Sequence, residues 1–171
     1  EVYLLHDDEN LYVAYRCFES ELDSVKAEKT GRDAQGLWGD DCIELYLIPP
    51  DSAFPETPIV GTDYYYLVVN SIGTQSDNVG QHDVDQWTGN WVARTAREGD
   101  AWTVEIQIPL AVVDSRPAEG ALWKVNFTRS QKRLRENSSW APIPVRFHDP
   151  SRFADMYFVN DQGQAALVMA A

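Results

Sequence analysis

Apolar and polar residues alternate along most of this chain with a period of two, the pattern required of strands that bury one face. Asn10–Phe18 (NLYVAYRCF) reads as a strand, joined to Val2–His6 by a turn at Asp7-Asp8-Glu9. Asp41–Ile48 is another, stopped by Pro49-Pro50, which cannot donate to a ladder. Tyr64–Asn70 and Asn90–Ala96 follow, and Gly99-Asp100 turns the chain into Ala101–Ile108, closed by Pro109. Leu122–Arg129, Phe153–Asn160 and Ala165–Met169 complete the set. Helical signal is confined to a turn or two within Glu19–Lys29 and one more at Leu110–Asp114. Many strands with Gly/Pro punctuation predict an all-β, antiparallel β-sandwich of jelly-roll or immunoglobulin-like type. Three stretches, Pro49–Asp63, Gly73–Gly89 and Ser130–Arg152, are too long for tight turns and are expected to be loops that gather binding residues.

Alternation also assigns faces. Ile43, Leu45 and Leu47 point to a core, as do Trp102, Val104, Ile106 and Ile108, and Trp123, Val125 and Phe127. Cys42, Glu44 and Tyr46, with Lys124, Asn126 and Thr128 and with Thr103, Glu105 and Gln107, then face outward. Such a face offers carboxylate, amide, hydroxyl and phenol groups together, the mixture that suits sugar hydroxyls, each of them both donor and acceptor. An ordinary solvated face has the same composition.

The 171 residues suit one domain, and 44% hydrophobic residues exclude a disordered chain. The formal net charge of −13 disfavours nucleic acid and anionic lipid surfaces as partners, leaving neutral ligands and divalent cations open. No apolar run approaches the ~20 residues of a membrane span. The chain opens at Glu1 inside a strand-like pattern, so a segment of a longer secreted polypeptide is expected, with any signal peptide outside it and other domains of the same chain as neighbours. Cys17 and Cys42 match no metal motif; they could pair or stay reduced in the core.

Six tryptophans are present. Trp102 and Trp123 have core parity, and Trp87 and Trp91 flank a Thr-Gly turn. Trp38 lies in the Gly-flanked segment Gln35–Asp41, and Trp140 ends the polar run Glu136-Asn137-Ser138-Ser139. A loop indole near amides and carboxylates can stack on the apolar face of a pyranose while its neighbours bind the polar edge. It can equally anchor its loop.

The motifs His6-Asp7-Asp8-Glu9-Asn10-Leu11-Tyr12-Val13-Ala14, Trp38-Gly39-Asp40-Asp41-Cys42-Ile43-Glu44-Leu45-Tyr46, Trp102–Pro109, Trp123–Arg129 and Asn137-Ser138-Ser139-Trp140 occur in this order. Together they resemble the family 9 carbohydrate-binding modules attached to xylanases and other glycoside hydrolases, from about residue 3 to about residue 158. The resemblance implies an antiparallel sandwich that holds a xylan- or cellulose-type oligosaccharide or polysaccharide between two tryptophans, here Trp38 and Trp140. It further implies contacts from Glu44, Asn137, and Asn126 or Arg129, with Tyr66 in place of an arginine that does not align; Ser138 stands where a second Asn can occur. No cofactor is required. Structural calcium occurs in the family, and Asp7-Asp8-Glu9 and Asp40-Asp41 are compatible with it, although neither has a recognised loop spacing and both read as solvated turns.

Three rival readings remain. A glycosidase would need two carboxyls, and Glu44 and Glu105 both have outward parity, but no catalytic motif is present and no intrinsic catalysis is expected. Related sandwiches can hold haem, for which His148, Met156 and Lys132 are the candidate ligands. A structural spacer within a large surface protein needs no site at all.

Overall fold

The computed structural model describes residues 1–50, 64–80, 87–115, 117, 120–144, 146–159 and 164–168. Eleven strands are present among them: β1 (Val2–His6), β2 (Asn10–Phe18), β3 (Cys42–Ile48), β4 (Tyr65–Asn70), β5 (Gln75–Val79), β6 (Val92–Glu98), β7 (Ala101–Pro109), β8 (Leu122–Gln131), β9 (Glu136–Ser139), β10 (Ala154–Val159) and β11 (Gln164–Val168). They form two antiparallel sheets, β1-β2-β7-β6 and β11-β10-β8-β3-β4-β5, with β9 added beside β8. This is the expected all-β sandwich.

The core lies between the sheets. Leu11, Val13 and Tyr15 of β2 and Trp102, Val104 and Ile106 of β7 face Ile43, Leu45 and Leu47 of β3 and Trp123, Val125 and Phe127 of β8. The residues of β3, β7 and β8 are those that alternation assigns inward, because successive side chains of a strand point to opposite faces; β2 adds Leu11, Val13 and Tyr15 by the same period. The β1–β2 turn forms as expected. Asp7 Oδ1 accepts hydrogen bonds from the backbone N–H of Glu9 at 2.8 Å and of Asn10 at 2.7 Å.

Three expectations change. Gly73–Gly89, read as loop, contains β5, whose QSDNV offers no alternation because ladder bonds to β4 hold it. Ser130–Arg152 likewise contains β9 and the last two residues of β8. The helical signals reduce to single 3-10 turns at Leu22–Ser24 and Leu110–Val113. The Pro49–Asp63 expectation lies almost wholly outside the described residues. Cys17 and Cys42 are both buried and unpaired. Cys17 belongs to the inter-sheet core, whereas Cys42 points out of the other side of β3, so the sheet separates the two thiols.

Trp91 is core, and Trp87 packs on Tyr65 with ring centroids 5.0 Å apart. Gly89 lets Trp87 in: a Cβ there would stand 2.6 Å from the Trp87 ring and 2.8 Å from Val112. Gly89→Ala is therefore expected to destabilise the domain by roughly 1–3 kcal/mol through overpacking, measured by urea denaturation followed by tryptophan fluorescence.

Candidate functional site

The outer side of the larger sheet carries Glu44 and Tyr46 on β3, Tyr66 and Val68 on β4, and Asn126 and Thr128 on β8, brought side by side by register. Parity is as expected, but this face is not a solvated one. Cys42, Tyr46 and Asn126 have no exposure, and the connection after β9 folds over Tyr46 and Asn126. Phe153 and His148 from that connection pack on Tyr46 with ring centroids 5.3 Å away, and Tyr64 completes a second apolar cluster. The opposite sheet behaves differently: Glu105 and Gln107 on its outer side are exposed.

Beside this cover the face stays open as a cleft of about 1120 Å³, lined by Trp38, Glu44, Tyr66, Lys132, Asn137 and His148 among others. Glu44 is 4% exposed. Its Oε2 accepts hydrogen bonds from the hydroxyls of Tyr46 at 2.6 Å and Tyr66 at 2.7 Å. Burial raises its carboxyl above the usual carboxylate range, against the two phenol donors and Lys132, which hold it down. Glu44 Oε1 has no partner among the described residues and belongs to a cleft-lining side chain, so it offers an acceptor to a ligand. Asn137 Oδ1 accepts from the Ser130 hydroxyl at 3.0 Å, leaving its amide N–H groups without a protein acceptor among the described residues.

Trp38 stands on a 3-10 turn, Leu37–Gly39. Gly36 enters that turn at φ 78°, a left-handed conformation that favours glycine. One turn of this tightness sends neighbouring side chains in different directions. Leu37 is fully buried beneath, and Trp38 is 51% exposed at the cleft. The approach to this turn is fixed by two buried carboxylates. Asp40 Oδ2 accepts from the backbone N–H of Glu28 at 3.1 Å and Lys29 at 2.9 Å and from the Asn70 amide at 3.0 Å. Asp41 accepts from the backbone N–H of Lys26 at 2.8 Å and Lys132 at 3.0 Å. The solvated-turn expectation for Asp40-Asp41 is thus corrected: both are buried, because backbone donors replace water around them. Burial would raise the Asp40 carboxyl, but the Lys29 and Glu28 donors outweigh it and hold the group below its ordinary value.

Of the residues expected at a site, Trp38, Glu44, Tyr66 and Asn137 line one cleft. Trp140, Asn126 and Arg129 do not line it. Trp140 follows β9 in the register that aligns it with Phe127, and packs against that ring at 6.0 Å on the inter-sheet side, where it belongs to the core margin. The sheet therefore stands between the two loop indoles. Asn126 is spent internally: its amide donates to the Ser139 hydroxyl at 3.0 Å, and its Oδ1 accepts from Ala141 N–H at 3.0 Å. It holds the start of the covering connection. Arg129 shares parity with Ile43 and bridges the sheets, donating to the Phe18 carbonyl at 2.8 Å, with Glu19 3.8 Å away. His148 and Lys132 line the cleft without having been assigned to a ligand-binding role there, since no local pattern tells where the connection after β8 returns.

Two pairings that the rival readings need are separated by the sheets. Glu44 and Glu105 lie on the outer sides of different sheets, with the core between them, so they are not a catalytic carboxyl pair. Met156 is buried between the sheets whereas His148 sits on the outer cluster, so these two cannot ligate one haem iron. For calcium, Asp7 is committed to its own turn, Asp40 Oδ2 and the Asp41 carboxylate accept from N–H donors while Asp40 Oδ1 is buried without a partner among the described residues, and no group of three His, Cys, Asp or Glu among the described residues is gathered as a metal set would be.

No protein-family model and no curated protein sequence matches the chain. Solved structures do. A Bacteroides uniformis protein provisionally described as carbohydrate-binding matches with a TM-score of 0.68 and 20% identity over 90% of this chain and 75% of that one. A family 9 carbohydrate-binding module from Caldicellulosiruptor kristjanssonii in complex with glucose matches with a TM-score of 0.65 and 17% identity over 94% of this chain and 76% of that one. The module from the same organism in complex with cellotriose gives a TM-score of 0.65 and 17% identity over 98% and 78%. The resemblance read from the sequence holds at the level of the fold: the chain has the architecture of family 9 carbohydrate-binding modules.

Two predictions follow from the buried polar groups. Asp40→Ala removes an acceptor shared by three donors and is expected to cost about 3 kcal/mol, read by urea denaturation, with faster proteolysis in the segment before Trp38. His148, desolvated and near Arg146, has its pKa lowered to about 4. The unfolded chain takes up a proton near pH 6.5 that the folded chain refuses, so stability falls as pH drops from about 6.5 to about 4. His148→Gln should flatten that slope in denaturation curves collected across this range.

Proposed function

We propose that this domain binds carbohydrate without transforming it, taking a neutral sugar ring of a xylan- or cellulose-type oligosaccharide into the cleft beside β3, β4 and β9. The observation that carries this reading is the meeting of a 51% exposed indole, Trp38, with the unpartnered Oε1 of a buried carboxylate, Glu44, in one concavity. An indole face accepts the C–H face of a pyranose, and a fixed carboxylate oxygen accepts from its hydroxyls. The Asn137 amide supplies a donor on the same rim. Tyr66 acts through Glu44, holding one oxygen so that the other is aimed and already desolvated, which lowers the ordering cost of binding. That similarly folded modules were solved with glucose and with cellotriose supports a sugar over other neutral ligands.

The stack in this proposal is one-sided. Trp140 keeps the core margin closed and takes no part in ligand contact. A domain of this kind serves secreted glycoside hydrolases by holding them at their polysaccharide, and an extracellular or cell-surface setting fits that role.

Isothermal titration with cello- and xylo-oligosaccharides tests the proposal. Trp38→Ala is expected to weaken binding roughly ten- to a hundred-fold, equivalent to about 1.4–2.7 kcal/mol, with the fold intact by circular dichroism. Glu44→Gln should weaken it as well. Trp140→Ala should lower the melting temperature and leave affinity unchanged. Heatless titrations of the unmodified domain with every oligosaccharide would overturn the assignment.

A further inference from the structure

The charges lining the cleft are unevenly compensated. Asp77 is neutralised in place: its Oδ2 accepts from Arg32 and from the Trp91 indole. Asp33, on the same wall, pairs with Arg32 at 3.5 Å. Glu44 has its two tyrosine donors. Lys132 and Arg146 also line the cleft, and neither has an ion pair or side-chain hydrogen bond among the described residues. Lys132 acts electrostatically on Glu44, and Arg146 on His148, both of them cleft-lining groups.

The chain has 27 acidic and 14 basic residues, and most of the basic ones described are held by carboxylates. Arg16, Arg32, Lys124 and Arg133 all hold carboxylates. Lys29, Arg94 and Arg135 also lack ion pairs among the described residues, but they do not line the cleft. A neutral ring closing over Lys132 and Arg146 would strip water from two positive charges and return no negative one, an unfavourable exchange. A ligand with an anionic substituent would complete both. Guanidinium matches the two oxygens of a carboxylate or sulfate in a fork, and an ammonium adds a point charge.

We propose that the cleft selects sugars bearing an anionic substituent, a uronate carboxylate or a sulfate ester, through Lys132 and Arg146. This rests on the sugar-binding reading and specifies its ligand class. The area around Trp38 and Glu44 takes the neutral ring, and the two cations take the charged group.

The test is isothermal titration of the intact domain with four ligands: a neutral xylo-oligosaccharide, the same compound with one glucuronic acid branch, its carboxyl-reduced form, and a sulfated oligosaccharide. A charged ligand is expected to bind about tenfold more tightly than its neutral counterpart, less so at high salt, because opposite charges are brought together at a partly exposed site. The anionic-to-neutral affinity ratio should fall in Lys132→Gln and in Arg146→Gln. Preference for the uronate or for the sulfate ester alone would support the proposal and identify the substituent. Equal affinity for the branched oligosaccharide and its carboxyl-reduced form, with no gain from sulfate, would overturn it while leaving sugar binding in place. Absence of binding to all four would remove the sugar-binding reading itself, and this inference with it.

Discussion

The site depends on two carboxylates kept out of water. Asp40 and Asp41 stand side by side at the entry to β3, and each holds backbone N–H groups that would otherwise need solvent. Residues 26–29 are thereby stitched to the sheet, with Asn70 and Thr74 closing the seam by donating to the Lys29 carbonyl at 2.9 and 2.8 Å. A buried carboxylate without donors would be among the most costly groups in a fold; surrounded by them, it fixes geometry that apolar contacts alone would leave slack. Trp38 lies between that segment and Asp40, on the turn Leu37–Gly39, so the seam anchors the chain on both sides of it.

The larger sheet uses its two faces for different ends. One packs against the smaller sheet in a core of aliphatic and indole side chains. The other is divided between an aromatic cluster around Tyr46 and Tyr64 and the open cleft around Glu44. The cluster lets Glu44 be buried and yet polar: the hydroxyls of Tyr46 and Tyr66 point at its carboxylate from rings that are themselves packed. The smaller sheet, lacking such a cover, has the ordinary exposed face that alternating sequences usually signal.

A separate polar group joins the two sheets. Glu19, buried just after β2, accepts from Gln131 at the end of β8 and from Arg133 in the turn beyond it at 2.6 Å. Arg129 reaches from the same strand to the Phe18 carbonyl. Side chains that look like candidates for a ligand when read along one strand are here struts between strands distant in sequence. The polar positions of β8 divide accordingly: Asn126 and Arg129 bond to other parts of the chain, while Lys132 just beyond lines the cleft.

Period-two burial is written into successive residues, so the sandwich, the inward sets of β3, β7 and β8 and the shared face of Glu44 with Tyr46 were legible along the chain. The sequence also marked Trp38, whose Gly36-bounded polar segment leaves an indole no core to enter. It did not carry β5 or β9, which owe their places to ladder partners and not to apolar alternation. Only the tertiary structure decided that Trp140 turns to Phe127, that Asn126 is spent on Ser139 and Ala141, and that His148, Lys132 and Arg146 meet at one cleft. Those outcomes depend on which side of a short strand faces the neighbouring sheet and on where a long connection returns. Local pattern cannot fix either one, since both are set by contacts between residues far apart along the chain.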